Sequence, residues 1–87
     1  MNLERWRQQI DQIDERLLEL LNERAQLALA IGREKRTHGL SVPAPEREAQ
    51  ILQRLCARNR GPLDEHAIRQ IFSTIFAEFR RLQEGTP

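Results

Sequence analysis

The sequence predicts an all-α fold in which each chain forms three helices (long, short and medium) and pairs with a second copy as a homodimer. Helix-forming residues dominate the 87-residue chain, and most of its prolines and glycines lie at two breaks. Apolar residues recur every three or four positions within each of the three segments between those breaks. The first of these segments is so long that the rest of the chain cannot cover its apolar side.

The first helix is predicted over about residues 2–37, a stretch without proline. Asn2 is a candidate N-cap, and Glu4 places a negative charge in the first turn. His38 and Gly39 provide the stop signal, after a last turn rich in cations.

The two remaining helices are predicted over about residues 45–58 and 64–84. Pro45 can begin a helix but cannot continue one, and acidic residues follow it in the first turn. The run 59–62 ends the second helix, and Asp64 is a candidate cap for the third. Residues 1–87 therefore make one helical domain.

The length of the first helix predicts self-association. Its residues make a rod of roughly 50 Å at 1.5 Å each, whereas a compact chain of this size is roughly 30 Å across. A short chain usually needs help from disulfides, a metal or oligomerisation. Cys56 is the only cysteine, and His38 and His66 are far apart in sequence, so oligomerisation is the remaining route.

The composition argues against several classes of function. Charged residues make up 31% of the chain, but their signs are mixed and the net charge is only +1, which disfavours nucleic acid as a partner. No apolar run is long enough to cross a membrane, and the N-terminus does not look like a signal peptide. We therefore expect a cytoplasmic protein with no membrane partner.

Two cations interrupt the apolar stripe of the first helix. At 100° per residue, Arg24 falls at the centre of the stripe and Lys35 lies on the same line, roughly 16 Å further along. The side chains of Arg24 and Lys35 are long enough to bend toward each other and bind one small anion between them. The stripe consists of Trp6, Ile10, Ile13, Leu17, Leu20, Leu27 and Ile31.

The other helices also place polar side chains near their apolar stripes. Glu48 lies on the line of the second helix with Arg47 at its edge, and Gln83 follows Phe79 by four residues in the third. Singly, each has an ordinary explanation, such as fixing helix register, pairing at the surface or exposure at a helix end. Together with Arg24 and Lys35 they imply either an internal salt network or a bound anion, because unpaired buried charge is costly. The excess of cations favours the anion.

Arg7 lies beside Trp6, off the centre of the stripe. It is about 42 Å from Lys35 along one rod, so one chain cannot bring both to the same ligand. In an antiparallel dimer, Arg7 of one chain can reach the other chain's site. The alternative is an ordinary solvated arginine.

The sequence resembles the all-helical (AroQ-class) chorismate mutases over nearly its whole length. The similar segments are, in order, RQQIDQID at 7–14, LLELLNER at 17–24, IGREK at 31–35, PERE at 45–48 and NRGPL at 59–63. Each is a weak pattern alone, but their order and spacing are specific.

The resemblance implies an intertwined homodimer of three-helix chains with two identical sites. It implies conversion of chorismate, a dianion, to prephenate in phenylalanine and tyrosine biosynthesis, by a [3,3] rearrangement without a cofactor. Arg24 and the partner subunit's Arg7 would bind the two carboxylates of the substrate. Lys35 and Gln83 would donate hydrogen bonds to its ether oxygen.

The resemblance also assigns Glu48 as acceptor for the ring hydroxyl and Arg47 as the residue that orients the surrounding charges. Two positions depart from the commoner pattern. Ala44 stands where many members have Asp, which leaves the backbone N–H groups near Ala44 as a substrate contact. Phe79 stands where one branch has a serine that contacts a carboxylate.

Two alternatives stay open. One is an isochorismate-pyruvate lyase, which residues 42–47 also resemble, or a related chorismate-type mutase. The lyases generally lack an acid after the arginine, so Glu48 favours the chorismate mutase over the lyase. The other alternative is a non-catalytic helical dimerisation or regulatory module, in which Arg24 and Lys35 pair with acids across the interface.

Overall fold

The computed structural model describes residues 1–85, which form three helices joined by two short connections. The helices are α1 (Leu3–Thr37), α2 (Pro45–Arg58) and α3 (Glu65–Glu84). The prediction of an all-α chain with a long, a short and a medium helix is confirmed. Within residues 1–85, no helix combines the length and the apolar character needed to cross a membrane.

The two predicted N-caps, Asn2 and Asp64, behave differently. The Asp64 carboxylate caps α3 by accepting a hydrogen bond from the Ala67 N–H at 2.8 Å. Asn2 stands at the N-cap position of α1, but its side chain makes no capping hydrogen bond. Its backbone (φ −90°, ψ 20°) lies outside the extended region from which a cap side chain reaches the first turn. Its carbonyl oxygen instead accepts the Trp6 N–H at 3.0 Å.

Helix α3 holds the chain together because it contacts both α1 and α2. The packed region lies where α3 meets α2 and the C-terminal half of α1. Phe76 of α3, only 5% exposed, lies at its centre, and Gly32 of α1 is also buried.

The N-terminal half of α1 projects from this packed region. The chain measures 58 × 26 × 16 Å and its radius of gyration is 16.0 Å, against about 12 Å for a compact chain of this length. Every residue from 1 to 20 is exposed. The elongation expected from the length of α1 is therefore present.

The two sides of α1 differ from the predicted arrangement. The apolar stripe is left uncovered by the chain's own helices, and its seven members are 46% to 62% exposed. Arg24 and Lys35 are partly buried, so they lie at the margin between this stripe and the side that faces α3, rather than at the stripe's centre. The second side carries three small residues, Ala25, Ala28 and Gly32, which are buried or partly buried along with Leu21 and Leu29.

Candidate active site

A cleft of about 450 Å³, including its open mouth, lies between α3, the C-terminal half of α1 and the start of α2. Six of the eight residues predicted for the site line this one cleft: Arg24, Ala44, Arg47, Glu48, Phe79 and Gln83. Its other lining residues are Ala28, Val42, Pro43, Ile51, Phe76 and Arg80. Residues from all three helices and from the first connection therefore converge.

The Arg24 guanidinium lies over two aromatic rings of α3. Its central carbon is 4.7 Å from the centre of the Phe79 ring and 5.6 Å from that of Phe76. Burial lowers the pKa of Arg24, the positive charge of Arg47 lowers it further, and Glu48 acts in the opposite direction. Arg24 therefore carries a charge that its surroundings disfavour, and a bound anion would relieve that cost.

Gln83 is held against α1 between Arg24 and Lys35. Its side-chain amide nitrogen donates a hydrogen bond to the Ala28 carbonyl at 2.7 Å. Gly32 lies beside this side chain, and a Cβ added at that position would be 3.6 Å from Gln83 Cγ, an ordinary contact distance. One amide N–H is used in this bond, and the second remains as a donor for a ligand.

Lys35 does not line the cleft itself, but it forms a hydrogen bond to Val42, which does. Its ammonium group donates to the Val42 carbonyl at 3.2 Å. This bond fastens the connection between α1 and α2 to the end of α1. An ammonium group has three N–H donors, so two remain beside the cleft.

The start of α2 supplies the remaining predicted residues. Ala44 is its N-cap and provides no side-chain cap, so the first backbone N–H groups of α2 are left for other acceptors. Arg47 is exposed, whereas the Glu48 side chain is only 24% exposed.

Arg80 is a cleft residue that the sequence analysis missed. Its Nη1 donates to both carboxylate oxygens of Glu48 at 2.6 Å. A signal was present in the sequence, because Phe76, Phe79, Arg80 and Gln83 are spaced as neighbours on one helix face.

Arg7 does not reach the cleft of its own chain. It is exposed, and it lies about 26 Å along the α1 axis from Arg24 at 1.5 Å per residue.

Within the described part of the chain, no group of three or more His, Cys, Asp or Glu side chains is placed to hold a metal ion. The N–H donors in the cleft suit an organic anion, and the Glu48 carboxylate can accept a hydrogen bond from a hydroxyl group on that anion.

Several known proteins have sequences similar to this one. Residues 6–84 match the family described as "Chorismate mutase type II". A bifunctional chorismate mutase/prephenate dehydratase from Neisseria gonorrhoeae is 44% identical over 72 residues, which cover 83% of this chain and 19% of that protein. One from Aquifex aeolicus is 36% identical over 86 residues, 94% of this chain and 24% of that protein. The chain thus spans about a fifth to a quarter of these relatives.

Solved structures share the fold. A chorismate mutase (Form II) from Thermus thermophilus superposes with a TM-score of 0.94 at 34% identity, covering 97% of this chain and 96% of that one. A chorismate mutase from Helicobacter pylori in complex with prephenate gives 0.88 at 32% identity, covering 95% and 90%. With the family match over residues 6–84, these findings show that the chain belongs to the chorismate mutase type II family.

Proposed function

We propose that this chain is a chorismate mutase that rearranges chorismate to prephenate. The observation that carries the proposal is the partly buried Arg24 guanidinium, which faces a cleft beside Arg47 and the Gln83 amide. The H. pylori relative was solved with prephenate, the product of this reaction.

The reaction itself asks little of acid–base groups. One C–O bond breaks as one C–C bond forms within the same molecule, and no proton is transferred. The protein must hold the substrate folded and stabilise negative charge as it develops on the ether oxygen. A millionfold acceleration corresponds to about 8 kcal/mol of barrier lowering.

Lys35 and Gln83 are the proposed donors to the ether oxygen. Each is anchored through one N–H to a backbone carbonyl, Lys35 to Val42 and Gln83 to Ala28, and keeps further N–H donors. One well-placed donor contributes about 3–4 kcal/mol to transition-state stabilisation. Two such donors, together with conformational restraint of the substrate, can account for a barrier lowering of about 8 kcal/mol.

Arg24 and the partner subunit's Arg7 are the proposed ligands of the two carboxylates. Glu48 accepts a hydrogen bond from the ring hydroxyl, and Arg47 orients the surrounding charge. In place of a side-chain contact, Ala44 leaves the backbone N–H groups at the start of α2 to the substrate. Phe79 contributes by supporting the Arg24 guanidinium on its ring.

The proposed enzyme is a homodimer. The chain exposes 7373 Å², whereas a compact 10.2 kDa monomer exposes about 5,300 Å². The excess of about 2,000 Å² is the size that an obligate interface covers. The uncovered apolar stripe of α1 is part of this exposed surface, and an antiparallel partner on this stripe brings its own Arg7 toward the cleft.

The test is a turnover assay with chorismate and isochorismate side by side. We expect chorismate ultraviolet absorbance to fall as prephenate forms, with no pyruvate released from isochorismate. Pyruvate release would instead favour the lyase that residues 42–47 resemble. A folded dimer without either activity, whose melting temperature is unchanged by chorismate, would contradict the proposal and leave the non-catalytic dimerisation module.

A further inference from the structure

The Arg80–Glu48 ion pair links two helices across the cleft. Glu48 is in the first turn of α2, and Arg80 is in the last half of α3, thirty-two residues further on. By contrast, Arg69–Glu65 and Arg81–Glu78 join residues three or four apart on the exposed side of α3. Glu48 is also the least exposed partner of these pairs.

The contact is made by one nitrogen. Arg80 Nη1 is 2.6 Å from Glu48 Oε1 and 2.6 Å from Oε2, so it fixes the carboxylate without using Nε or Nη2. An ionised carboxylate has about four acceptor positions. Glu48 therefore keeps acceptor capacity for a hydroxyl while its orientation is set.

Other cations compete for Glu48. The carboxylate acts electrostatically on Arg24, and Arg47 is its neighbour in the chain and in the lining of the cleft. If Glu48 turned onto either arginine, it would neutralise a charge proposed to receive the anionic substrate. Arg80 provides a cation outside that set.

We propose that Arg80 is a positioning residue that holds Glu48 toward the ring hydroxyl and away from Arg24 and Arg47. The inference rests on the proposed chorismate mutase function. It predicts that Arg80 acts only through Glu48, which leaves Arg24 free for a carboxylate of the substrate and Arg47 free to orient the surrounding charge.

A double-mutant cycle tests this dependence, with kcat and KM for chorismate measured separately. Arg80→Gln should lower kcat/KM roughly thirtyfold, partly through a higher KM, because Glu48 then neutralises Arg24 or Arg47. In a Glu48→Gln background, adding Arg80→Gln should change kcat/KM by less than about twofold. If the losses in kcat/KM from the two substitutions multiplied in the double variant, Arg80 would act on the substrate or the fold independently of Glu48. That result would overturn the proposal.

Two further variants separate positioning from folding. Arg80→Lys can offer one nitrogen to both oxygens, so it should recover part of the loss, whereas Arg80→Met should recover none. Arg81→Gln, next in the chain and paired with Glu78, should match wild type. Arg80→Gln activity near wild type, or a loss explained by melting below the assay temperature, would overturn the inference alone. An inactive wild-type enzyme would overturn both this inference and the proposed function.

Discussion

The two halves of α1 have the same apolar periodicity but different surroundings. In the N-terminal half, residues 3–20, every side chain is exposed, including the large apolar ones. In the C-terminal half, residues 21–37, one side of the helix meets α3, and Arg24 and Lys35 lie at the margin of that contact. A single helix therefore presents one surface to its own chain and leaves another exposed for the proposed partner subunit, and the proposed site lies where the two surfaces meet.

The largest effect is expected in the N-terminal half. Leu17→Glu places a charge in the exposed stripe, and burial of that charge in a dimer interface is unfavourable. We expect monomers by light scattering and loss of nearly all mutase activity, since the partner's Arg7 is withdrawn. Gln8→Glu is the control, because Gln8 lies nine residues away and so on the opposite side of the helix. A fully active Leu17→Glu dimer would mean that the stripe is not the interface.

In the C-terminal half, Arg24→Met should separate activity from stability. We expect at least a hundredfold loss of kcat/KM, since about 2.7 kcal/mol of charge-assisted hydrogen bonding is removed. The folded state lowers the pKa of Arg24, so the charged form costs stability at every pH below that pKa, neutral pH included. Removing that cost offsets the loss of the two ring contacts, so the melting temperature should stay close to that of wild type. Arg33→Met, on an exposed residue, should alter neither quantity.

Mixing variants tests whether the two halves of α1 belong to the same site. Arg7→Ala should lower kcat/KM tenfold or more by itself. Refolded together, Arg7→Ala and Arg24→Met chains form mixed dimers with one intact site each, and a symmetric dimer then recovers about a quarter of wild-type activity. Arg24→Met mixed with Glu48→Gln is the control, because both changes affect residues that line one chain's cleft. No recovery in the first mixture would place Arg7 outside the site.

The sequence predicted the three helices and the polar residues of the cleft because both depend on local spacing. It placed Arg24 at the centre of the apolar stripe, since periodicity alone does not tell which side of α1 meets α3 and which side α3 leaves exposed. The side of α1 that faces α3 includes Ala28 and Gly32, and such small residues add little to a hydrophobic pattern in the sequence. Arg80 was missed because its partner Glu48 is on another helix, and only the tertiary arrangement brings the two together.

A smaller effect is expected where the aromatic ring supports Arg24. Phe79→Leu keeps an apolar side chain but removes the ring 4.7 Å from the guanidinium. Cation–π contacts of a partly exposed cation contribute about 0.5–1 kcal/mol, so we expect KM for chorismate to rise about twofold to fivefold. Phe72→Leu is the control, because Phe72 contacts the Phe76 ring rather than Arg24. Equal effects of the two variants would assign Phe79 to packing alone.

The smallest effect tests how closely α3 must approach α1. In Gly32→Ala, the new Cβ would lie 3.6 Å from Gln83 Cγ and 3.7 Å from its amide nitrogen, an ordinary contact distance. Alanine also favours a helix interior by about 0.5–1 kcal/mol, so the melting temperature should rise by a few degrees with kcat nearly unchanged.

Gly39→Ala provides the contrast. Gly39 has φ 68°, and a Cβ added there would meet no atom within 4 Å, so strain alone should destabilise that variant by about 1 kcal/mol. If Gly32→Ala were also destabilising, the space beside Gln83 would be tighter than these distances allow. If Gly32→Ala raised the melting temperature but lowered kcat, the amide of Gln83 would have to move during the reaction. The side of α1 that faces α3 would then serve catalysis as well as packing.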